Sequence, residues 1–257
     1  MNLKTDGVEV LAEGSGAKTI VMIHGWPDTH RLWDAQVEAL KGRFRCVRFT
    51  LPGFDAGPKR AYSFEHLMET LERVVEQARR GERVILLLHD WGCVFGYQFA
   101  MRHPELVERI VGVDIGDAGS REHLADIGAR GKLMVLAYQW WLALAWVIRS
   151  DTMARWMART IGGRTDARAI HAQMGYVYAM RWLGVAGGFR GIKVFKPHCP
   201  MLYLYGERKP FMFHSRAWAE RLAARPGCRV IAFATGHWIM VQRPGEFNDA
   251  LLTWLGN

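Results

Sequence analysis

The chain has 257 residues, of which half are apolar and 23% are charged, and its formal net charge is +9 at pH 7. This composition is typical of a globular protein and excludes a disordered chain or a disulfide-rich miniprotein. The length fits one large domain whose core needs no covalent cross-links. The first ten residues carry charges instead of an apolar run, so we expect no signal peptide and a cytoplasmic location.

The four cysteines stand far apart in the sequence and form no CxxC pair, and none has a histidine at the spacing of a zinc site. This pattern indicates reduced thiols in an intracellular protein and not a disulfide framework. We therefore predict no disulfide, no metal and no cofactor. The cysteines are Cys46, Cys93, Cys199 and Cys228.

Most of the positive charge lies in the middle of the chain, where residues 117–199 contain twelve lysines and arginines against five acids. These charges are dispersed and follow no zinc-finger, RNA-recognition or helix-turn-helix signature, which favours a basic surface over nucleic-acid binding. The longest apolar run, Leu133–Ile148, is shorter than the roughly 20 residues of a spanning helix. We expect a buried or interfacial helix and no stable membrane insertion, with membrane-surface binding as an outside alternative.

Short apolar segments alternate with helical patterns along the chain. Such alternation predicts an α/β protein with a mostly parallel sheet covered by helices on both faces, and Val8–Ala12 adds an antiparallel edge strand. The predicted strands are Thr19–Ile23, Cys46–Thr50, Val84–His89, Ile110–Ile115, Met201–Tyr205 and Arg229–Ala234. The predicted helices are Arg31–Leu40, Ser63–Arg80, Val94–His103, Ser215–Ala224 and Pro244–Leu255.

One interval breaks this alternation. From Ala118 to Lys196 the sequence contains no good strand and indicates several helices rich in Trp, Met and Arg. Helices inserted between two strands of such a sheet lie at the carboxyl ends of the strands, where these sheets bind ligands. We therefore predict an α/β core formed by residues 1–117 and 197–257, and a helical lid (cap) formed by residues 118–196.

The first candidate site is the segment Leu86–Cys93, LLLHDWGC, in which a buried strand ends and a helix begins after a sharp turn. Serine hydrolases place the pattern G-x-S-x-G at such a turn. Here Asp90 takes the turn position and Gly92 follows two residues later. A carboxylate at that point faces the cleft and can attack an electrophilic carbon to form an ester. An Asp that merely caps the following helix is the alternative.

Two further motifs follow predicted strands. The loop His24–Asp28, HGWPD, matches the hydrolase loop that supplies one oxyanion-hole N–H, here from Trp26, while Trp91 after the turn residue supplies the other. The segment Thr235–Trp238, TGHW, follows the last strand, and its His237 is the candidate general base. The order of these motifs along the chain is the one expected of a hydrolase of this architecture.

Together the motifs resemble those of α/β-hydrolase-fold enzymes in the epoxide hydrolase and haloalkane dehalogenase group. The resemblance spans most of the chain and rests on HGWPDT, on LPGFDAG at Leu51–Gly57, on LLHDWG and on TGHW. It implies the α/β-hydrolase fold, with Asp90 as the nucleophile and His237 as the group that activates water to hydrolyse the ester. It also implies that Trp26 and Trp91 supply the oxyanion donors of a catalytic triad enzyme.

The acid that orients His237 departs from the pattern of the family. Epoxide hydrolases usually carry this acid in a Gly-x-x-Asp turn after the strand that matches Met201–Tyr205, where this chain has Lys209. Many dehalogenases place it after the strand that follows the nucleophile, a position that holds Asp114 here. An Asp in an apolar strand is unfavourable unless it is paired, so we predict Asp114 as the acid. The alternatives are Asp117 and Glu207.

The two substrate classes differ in the leaving group that the site must stabilise. Dehalogenases of this group hold a halide with the Trp after the nucleophile, matched by Trp91, and with an Asn after His-Gly or a lid Trp. Epoxide hydrolases carry an aromatic residue after His-Gly, which Trp26 matches, and protonate the epoxide oxygen with lid tyrosines. The expected substrate-binding residues are His24, Trp91, Tyr138, Trp141, Tyr176 and Tyr178. The tryptophans expected to build an apolar pocket are Trp140, Trp141, Trp146, Trp156 and Trp182.

The segment Tyr205–Arg216 places three cations, Arg208, Lys209 and His214, among aromatic residues near the cleft. It is either a surface loop or an anion site that orients the substrate. The sequence as a whole predicts a cofactor-free epoxide hydrolase acting on a small apolar substrate, with a haloalkane dehalogenase as the alternative. A non-catalytic binding protein of the same fold is the alternative of another class. The sequence is compatible with a homodimer.

Overall fold

The computed structural model describes residues 2–5, 8–55 and 59–256, which contain one sheet of eight strands. The strands are β1 (Asn2–Thr5), β2 (Val8–Glu13), β3 (Thr19–Ile23), β4 (Arg45–Phe49), β5 (Val84–His89), β6 (Val107–Val113), β7 (Met201–Gly206) and β8 (Arg229–Phe233). They lie in the order β1-β2-β4-β3-β5-β6-β7-β8. The neighbours from β4 to β8 are parallel, whereas β1 with β2 and β2 with β4 are antiparallel.

Ten α-helices accompany these strands in the described residues. They are α1 (Asp34–Leu40), α2 (Phe64–Ala78), α3 (Trp91–Arg102), α4 (Arg121–Asp126), α5 (Gly128–Val147), α6 (Asp151–Thr160), α7 (Tyr176–Leu183), α8 (Arg216–Ala223), α9 (Ile239–Gln242) and α10 (Pro244–Leu255). Four of them begin after a serine whose hydroxyl accepts a hydrogen bond from a first-turn N–H, which stabilises the helix end. These serines are Ser63, Ser120, Ser150 and Ser215.

The sheet is buried on both faces because its strands alternate between two cores. Ile20 and Met22 of β3 lie in the core shared with α1 and α10, whereas Val21 and Ile23 lie in the core shared with α2 and α3. All residues of β3 and β5 are buried, as expected for the centre of a parallel sheet. Polar side chains are therefore found where these strands end, and there they lie close to one another.

The predicted α/β class and the mostly parallel sheet are confirmed, with three differences in detail. β1 pairs outside β2, so Val8–Glu13 is not the edge strand that the sequence predicts. β6 begins at Val107, three residues before its predicted start. α3 begins at Trp91, directly after the turn, and not at Val94, because Gly92 lets the helix start pack against the end of β3.

The described residues between β6 and β7 contain no strand and fold into α4 to α7 with three short 3-10 turns. This agrees with the strand-free interval predicted at 118–196. Within it α5 packs against α6 and α7. No helix in the described part of the chain is long and apolar enough to cross a membrane. The four cysteines are free thiols. The last two residues of the predicted motif Leu51–Gly57 lie outside the described residues.

Candidate active site

Asp90 occupies a strained turn between β5 and α3. Its backbone has φ 52 and ψ −121, a conformation that residues other than glycine rarely adopt and that is common at functional sites. Gly92 permits this turn, because a Cβ there would overlap the carbonyl groups of Ile23 and His24. The turn holds the Asp90 carboxylate at the N-terminus of α3, where the helix dipole favours a negative charge, and leaves 16% of the side chain exposed.

Backbone N–H groups from two loops hold this carboxylate. The N–H of Trp26 donates to Asp90 Oδ1 at 2.7 Å, and the N–H of Trp91 also bonds to the carboxylate. Gly25 makes this approach feasible, because a Cβ there would overlap both Asp90 Oδ1 and the nitrogen of Trp91. The two residues predicted to supply the oxyanion donors therefore both bond to the Asp90 carboxylate through their backbone N–H groups.

His237 lies in the loop after β8, between two carboxylates. Its Nε2 is 3.4 Å from Asp90 Oδ2, and its Nδ1 pairs with Asp114 Oδ2. Asp114 follows β6, is fully buried and has a positive φ of 69. The buried ring of His89 lies behind this loop, with its Nε2 3.2 Å from the carbonyl oxygen of His237. The structure thus brings Asp90, His237 and Asp114, the three predicted catalytic residues, into one chain of contacts.

The charges of Asp90, His237 and Asp114 stabilise one another. Burial opposes protonation of His237, but the charges and hydrogen bonds of Asp114 and Asp90 outweigh it and raise the pKa of His237 to about 9. Burial works against the charged form of Asp90 too, yet His237 holds the pKa of Asp90 below its usual value. At neutral pH the site therefore contains an imidazolium between two carboxylates.

Lys209, at the position where the family pattern has its acid, turns its ammonium group onto Asp114. The Lys209 side chain is only 7% exposed, and its Nζ pairs with Asp114 Oδ1, which also accepts the N–H of Gly206 at 2.9 Å. Burial favours the neutral acid at Asp114, but Lys209 and then His237 keep the pKa of Asp114 below its usual value. Asp114 therefore uses one oxygen for Lys209 and the other for His237.

The two alternative acids do not reach His237. Asp117 accepts hydrogen bonds from the N–H of Ser215 at 2.6 Å and from its hydroxyl at 2.8 Å, and from the hydroxyl of Ser120 at 2.6 Å. Asp117 therefore fixes the start of α8 and the turn before α4. The side chain of Glu207 is exposed.

The anion site proposed for the segment Tyr205–Arg216 is not formed. Lys209 is paired with Asp114, so its charge is already compensated. His214 is buried, with its Nδ1 3.0 Å from the hydroxyl of Tyr203, and burial lowers the pKa of His214 to about 4. Arg208 is exposed. Lys209 and His214 therefore contact groups in the interior of the protein, Arg208 faces the solvent, and the three do not share an anion.

Asp28 is a buried residue of the site to which sequence reasoning gave no role beyond its motif. It accepts hydrogen bonds from the indole N–H of Trp238 at 2.9 Å and from the hydroxyl of Thr165. Burial raises the pKa of Asp28 to about 6. Asp28 thereby links the HGWPD loop both to the loop that carries His237 and to the helical interval. Its place inside HGWPDT was the only sequence signal for this role.

Two of the predicted tyrosines lie at the site. The ring of Tyr178 is 5.3 Å from the ring of Trp91 and 6.0 Å from that of Trp26, and the ring of Tyr138 is 6.1 Å from that of Tyr178. Burial raises the pKa of both hydroxyls, and the negative charge of Asp90 raises it further. Both phenols are therefore present as proton donors beside the carboxylate at neutral pH.

Two other predicted substrate contacts face away from the carboxylate. Tyr176 packs against Phe54 and Tyr62, at ring distances of 5.9 Å each, because it lies on another face of α7 than Tyr178. His24 is fully buried, accepts the N–H of Leu51 on Nε2 at 2.9 Å and bonds through Nδ1 to its neighbouring carbonyl. His24 therefore supports the oxyanion loop through both ring nitrogens.

The tryptophans of the helical interval do not form the single pocket that was predicted. Trp141 donates its indole N–H to the carbonyl of Met153 at 3.0 Å, and Trp182 donates its own to Gln139 at 2.9 Å. Both groups are thus used within the interval and are not directed at a bound halide. The remaining three are Trp146, which packs under Lys59, and the exposed Trp140 and Trp156.

Comparison with known proteins agrees with this geometry. A family model described as "Alpha/beta hydrolase family" matches residues 20–250. The chain is 33% identical over 128 residues to "Probable oxidoreductase EphD" of Mycobacterium tuberculosis, covering 47% of this chain and 22% of that protein. It is 28% identical over 116 residues to "Epoxide hydrolase 2" of Caenorhabditis elegans, covering 43% and 32%.

A third relative is the "Haloalkane dehalogenase" of Sphingobium indicum, 31% identical over 117 residues, with 43% of this chain and 39% of that protein covered. The chain therefore spans well under half the length of these curated relatives. Among solved structures, the epoxide hydrolase of Bacillus megaterium in complex with an inhibitor is similar over 100% of both chains. The TM-score is 0.72 at 18% sequence identity, a similarity that concerns the fold.

Proposed function

The chain belongs to the alpha/beta hydrolase family, and we propose that it is an epoxide hydrolase that works through a covalent ester on Asp90. One observation carries this proposal. The Asp90 carboxylate is held through Oδ1 by the backbone N–H of Trp26, whereas Oδ2 lies 3.4 Å from Nε2 of His237. An Asp that only capped a helix would require neither a histidine beside its carboxylate nor a second, buried carboxylate on the other nitrogen of that histidine.

In the first step Oδ2 of Asp90 attacks an epoxide carbon and the carbon–oxygen bond of the ring breaks. The ring oxygen takes a proton from Tyr178 or Tyr138, which lie beside Asp90 as neutral phenols. The products of this step are a hydroxyalkyl ester on Asp90 and a tyrosinate. The tyrosinate then takes the proton of the His237 imidazolium, which leaves His237 as a neutral base. The retained hydrogen bond on Oδ1 leaves that oxygen in place as the carbonyl oxygen of the ester.

In the second step His237 removes a proton from water, which attacks the carbonyl carbon of the ester. The backbone N–H groups of Trp26 and Trp91 stabilise the oxyanion that forms on Oδ1. The bond between that carbon and Oδ2 then breaks, the departing oxygen takes the proton of the hydroxyl group that water supplied, and the diol leaves while His237 is again an imidazolium. One epoxide and one water thus yield one diol.

Ester formation itself prepares His237 for this task. The pKa of His237 is raised to about 9 partly by the charge of Asp90. Because the ester of Asp90 is neutral, that contribution is lost in the intermediate and the pKa of His237 falls toward the working range of a general base. Asp114 remains to stabilise the imidazolium that forms when water is deprotonated.

Lys209 supports the roles of His237 as the base and of Asp114 as the acid that stabilises its imidazolium. Its ammonium group keeps Asp114 ionised and prevents the two carboxylates from raising the pKa of His237 further. We assign Lys209 as a positioning residue, since it contacts Asp114 and none of the reacting groups.

Haloalkane dehalogenation is the second candidate, and the indole N–H of Trp26 favours it. This group is buried and has no hydrogen-bond partner among the described residues, and the ring lies beside Tyr178. A buried donor without a partner, on a residue whose backbone N–H bonds to Asp90, suits an anionic leaving group. The same Asp90 ester would then form with release of halide in place of a ring alkoxide.

A substrate panel tests both candidates. Aromatic and alkyl epoxides and primary chloroalkanes are incubated with the wild type, with Asp90→Ala and with Asp249→Ala, an exposed aspartate of α10 as the matched control. We expect diol from at least one epoxide, its loss in Asp90→Ala and its retention in Asp249→Ala. Halide release without diol would assign the second candidate. No product from either class, or an active Asp90→Ala variant, would contradict the proposal.

A further inference from the structure

One face of α5 is apolar and exposed to solvent along most of the helix. At about 100° per residue its members fall within a sector of about 120° around the helix axis. The exposure of its large side chains ranges from 39% for Leu136 to 66% for Leu133. This face, the α5 stripe, consists of Leu133, Leu136, Ala137, Trp140, Leu144, Val147 and Ile148.

The neighbouring helix enlarges the stripe. The ring of Trp140 lies 5.9 Å from that of Trp182 in α7, and the following Leu183 is 44% exposed. The opposite face of α5 packs inward, and its Tyr138 reaches Tyr178 at the site. A helix that is apolar on all sides is normally enclosed, and an uncovered patch of this kind marks an interaction surface.

Cations lie at both ends of the stripe. Arg130 lies in the first turn of α5, and Arg149 follows its end; both are exposed. Lys59 places its Nζ 3.1 Å from the carbonyl of Val147, at the same end of the helix. Residues 121–190 together contain ten lysines and arginines against four acids. The apolar stripe is therefore bordered at both ends by positive charge.

We propose that the α5 stripe docks the protein on the surface of an anionic lipid bilayer. An interfacial helix of this type buries its apolar side chains at the boundary of headgroups and acyl chains, while basic residues contact anionic headgroups. Tryptophans such as Trp140 and Trp182 prefer that boundary. The helix lies in the plane of the interface, in agreement with the finding that it is not a candidate membrane span.

A second copy of the chain fits this surface less well. If two α5 helices pair in antiparallel orientation, Arg130 of one copy meets Arg149 and Lys59 of the other. If they pair in parallel orientation, each cation meets its own counterpart. In both cases a two-fold interface places like charges together, which opposes association. A bilayer rich in anionic headgroups offers the opposite charge at both ends of the stripe.

Vesicle flotation tests the proposal with the full chain. We expect the wild type to float with vesicles of 3:7 phosphatidylglycerol and phosphatidylcholine at low salt, and to bind them much less at high salt. Leu136→Ser with Leu144→Ser should weaken binding at least 10-fold, since each leucine buries apolar surface in the bilayer. Arg130→Gln with Arg149→Gln should weaken it about 30-fold, at about 1 kcal/mol for each charge.

Matched controls alter equally exposed residues elsewhere. Val194→Ser with Val241→Ser, and Arg225→Gln with Arg229→Gln, should bind as the wild type does, and thermal melting checks that every variant is folded. Failure of the wild type to float at low salt would overturn the proposal, as would equal losses in the control variants. Sedimentation that shows a dimer broken by Leu136→Ser with Leu144→Ser would assign the stripe to a second copy instead.

Discussion

The carboxyl edge of the sheet and the helical interval between β6 and β7 differ in how they hold their polar and aromatic side chains. At the edge, Asp90, Asp114 and His237 each follow a strand and contact one another. In the helical interval, Tyr138 and Trp140 are two residues apart, yet the first faces the site and the second faces solvent.

The difference has a geometric origin. Parallel strands end together, so residues that follow them meet whatever the rest of the chain does. A helix turns by about 100° per residue, and only its packing partners decide which side chain faces inward. Chemistry at the sheet edge is therefore specified by motif and order, whereas chemistry on the helices between β6 and β7 is specified by tertiary contacts.

The largest effect is expected at the sheet edge from Asp114→Asn. We expect turnover to fall about 10³- to 10⁴-fold, because His237 loses the carboxylate that stabilises its imidazolium. Ester formation does not need the base, so the hydroxyalkyl ester on Asp90 should accumulate and be visible by intact-protein mass spectrometry. Absence of the adduct together with full turnover would remove Asp114 from the mechanism.

Stability separates this chemical role from a structural one. Asp114→Asn leaves the buried ammonium group of Lys209 without its carboxylate, which we expect to lower the free energy of unfolding by about 3 kcal/mol. Adding Lys209→Met should recover most of that stability, measured by urea denaturation, and none of the turnover. Recovery of both would mean that Asp114 acts only through folding.

A second comparison lies within α7, where Tyr178 and Tyr176 face different surroundings. Tyr178→Phe should slow ester formation from an epoxide about 10²-fold, because a proton donor for the ring oxygen is removed. Tyr176→Phe should leave that rate within about twofold, since Tyr176 packs against Phe54. Single-turnover mass spectrometry gives both rates, and equal losses would contradict the assignment of Tyr178.

Lys209→Met alone should change the pH dependence of ester hydrolysis. The imidazole of His237 is surrounded by Asp90, Asp114 and His89, and Lys209 is the cation on Asp114. A positive charge disfavours the imidazolium, so its removal raises the pKa of His237 and lowers the fraction of neutral base at a given pH. The acid limb of the hydrolysis rate should therefore move to higher pH, and Lys209→Arg should restore it. If the acid limb lies at the same pH in Lys209→Met and in the wild type, Lys209 contributes only to packing.

The smallest effect concerns Asp28, which joins the sheet edge to the helical interval. Burial raises the pKa of Asp28 to about 6, so between about pH 4 and 6 the folded chain binds this proton more than the unfolded chain does. Asp28 therefore makes the protein less stable as pH rises through that window. Asp28→Asn should remove this contribution to the pH dependence of the free energy of unfolding, which amounts to about 2–3 kcal/mol between pH 4 and 7. Melts of the variant and the wild type at several pH values measure it. Identical slopes would show that Asp28 titrates normally.

The sequence predicted the parallel sheet and the residues that follow its strands, because buried strands and glycine-bounded turns are local patterns. The resemblance to dehalogenases pointed to Asp114, and the requirement that a buried acid be paired supported that prediction. The sequence did not predict that Lys209 is that partner, that Asp28 joins three segments, or that Tyr176 packs against Phe54 and Tyr62. Each of these depends on contacts between segments far apart in the chain, which periodicity and motif spacing do not contain.

The central claim is that Asp90 Oδ2 attacks the substrate and leaves with the product. It is tested by a single turnover of excess enzyme on an epoxide in water enriched in ¹⁸O, followed by digestion and mass spectrometry of the peptide that contains Asp90. We predict one ¹⁸O in the carboxylate of Asp90 and none in the first diol released, because water attacks the ester carbonyl. Label in the diol and none in Asp90 would mean that water attacks the substrate directly, and would contradict the account.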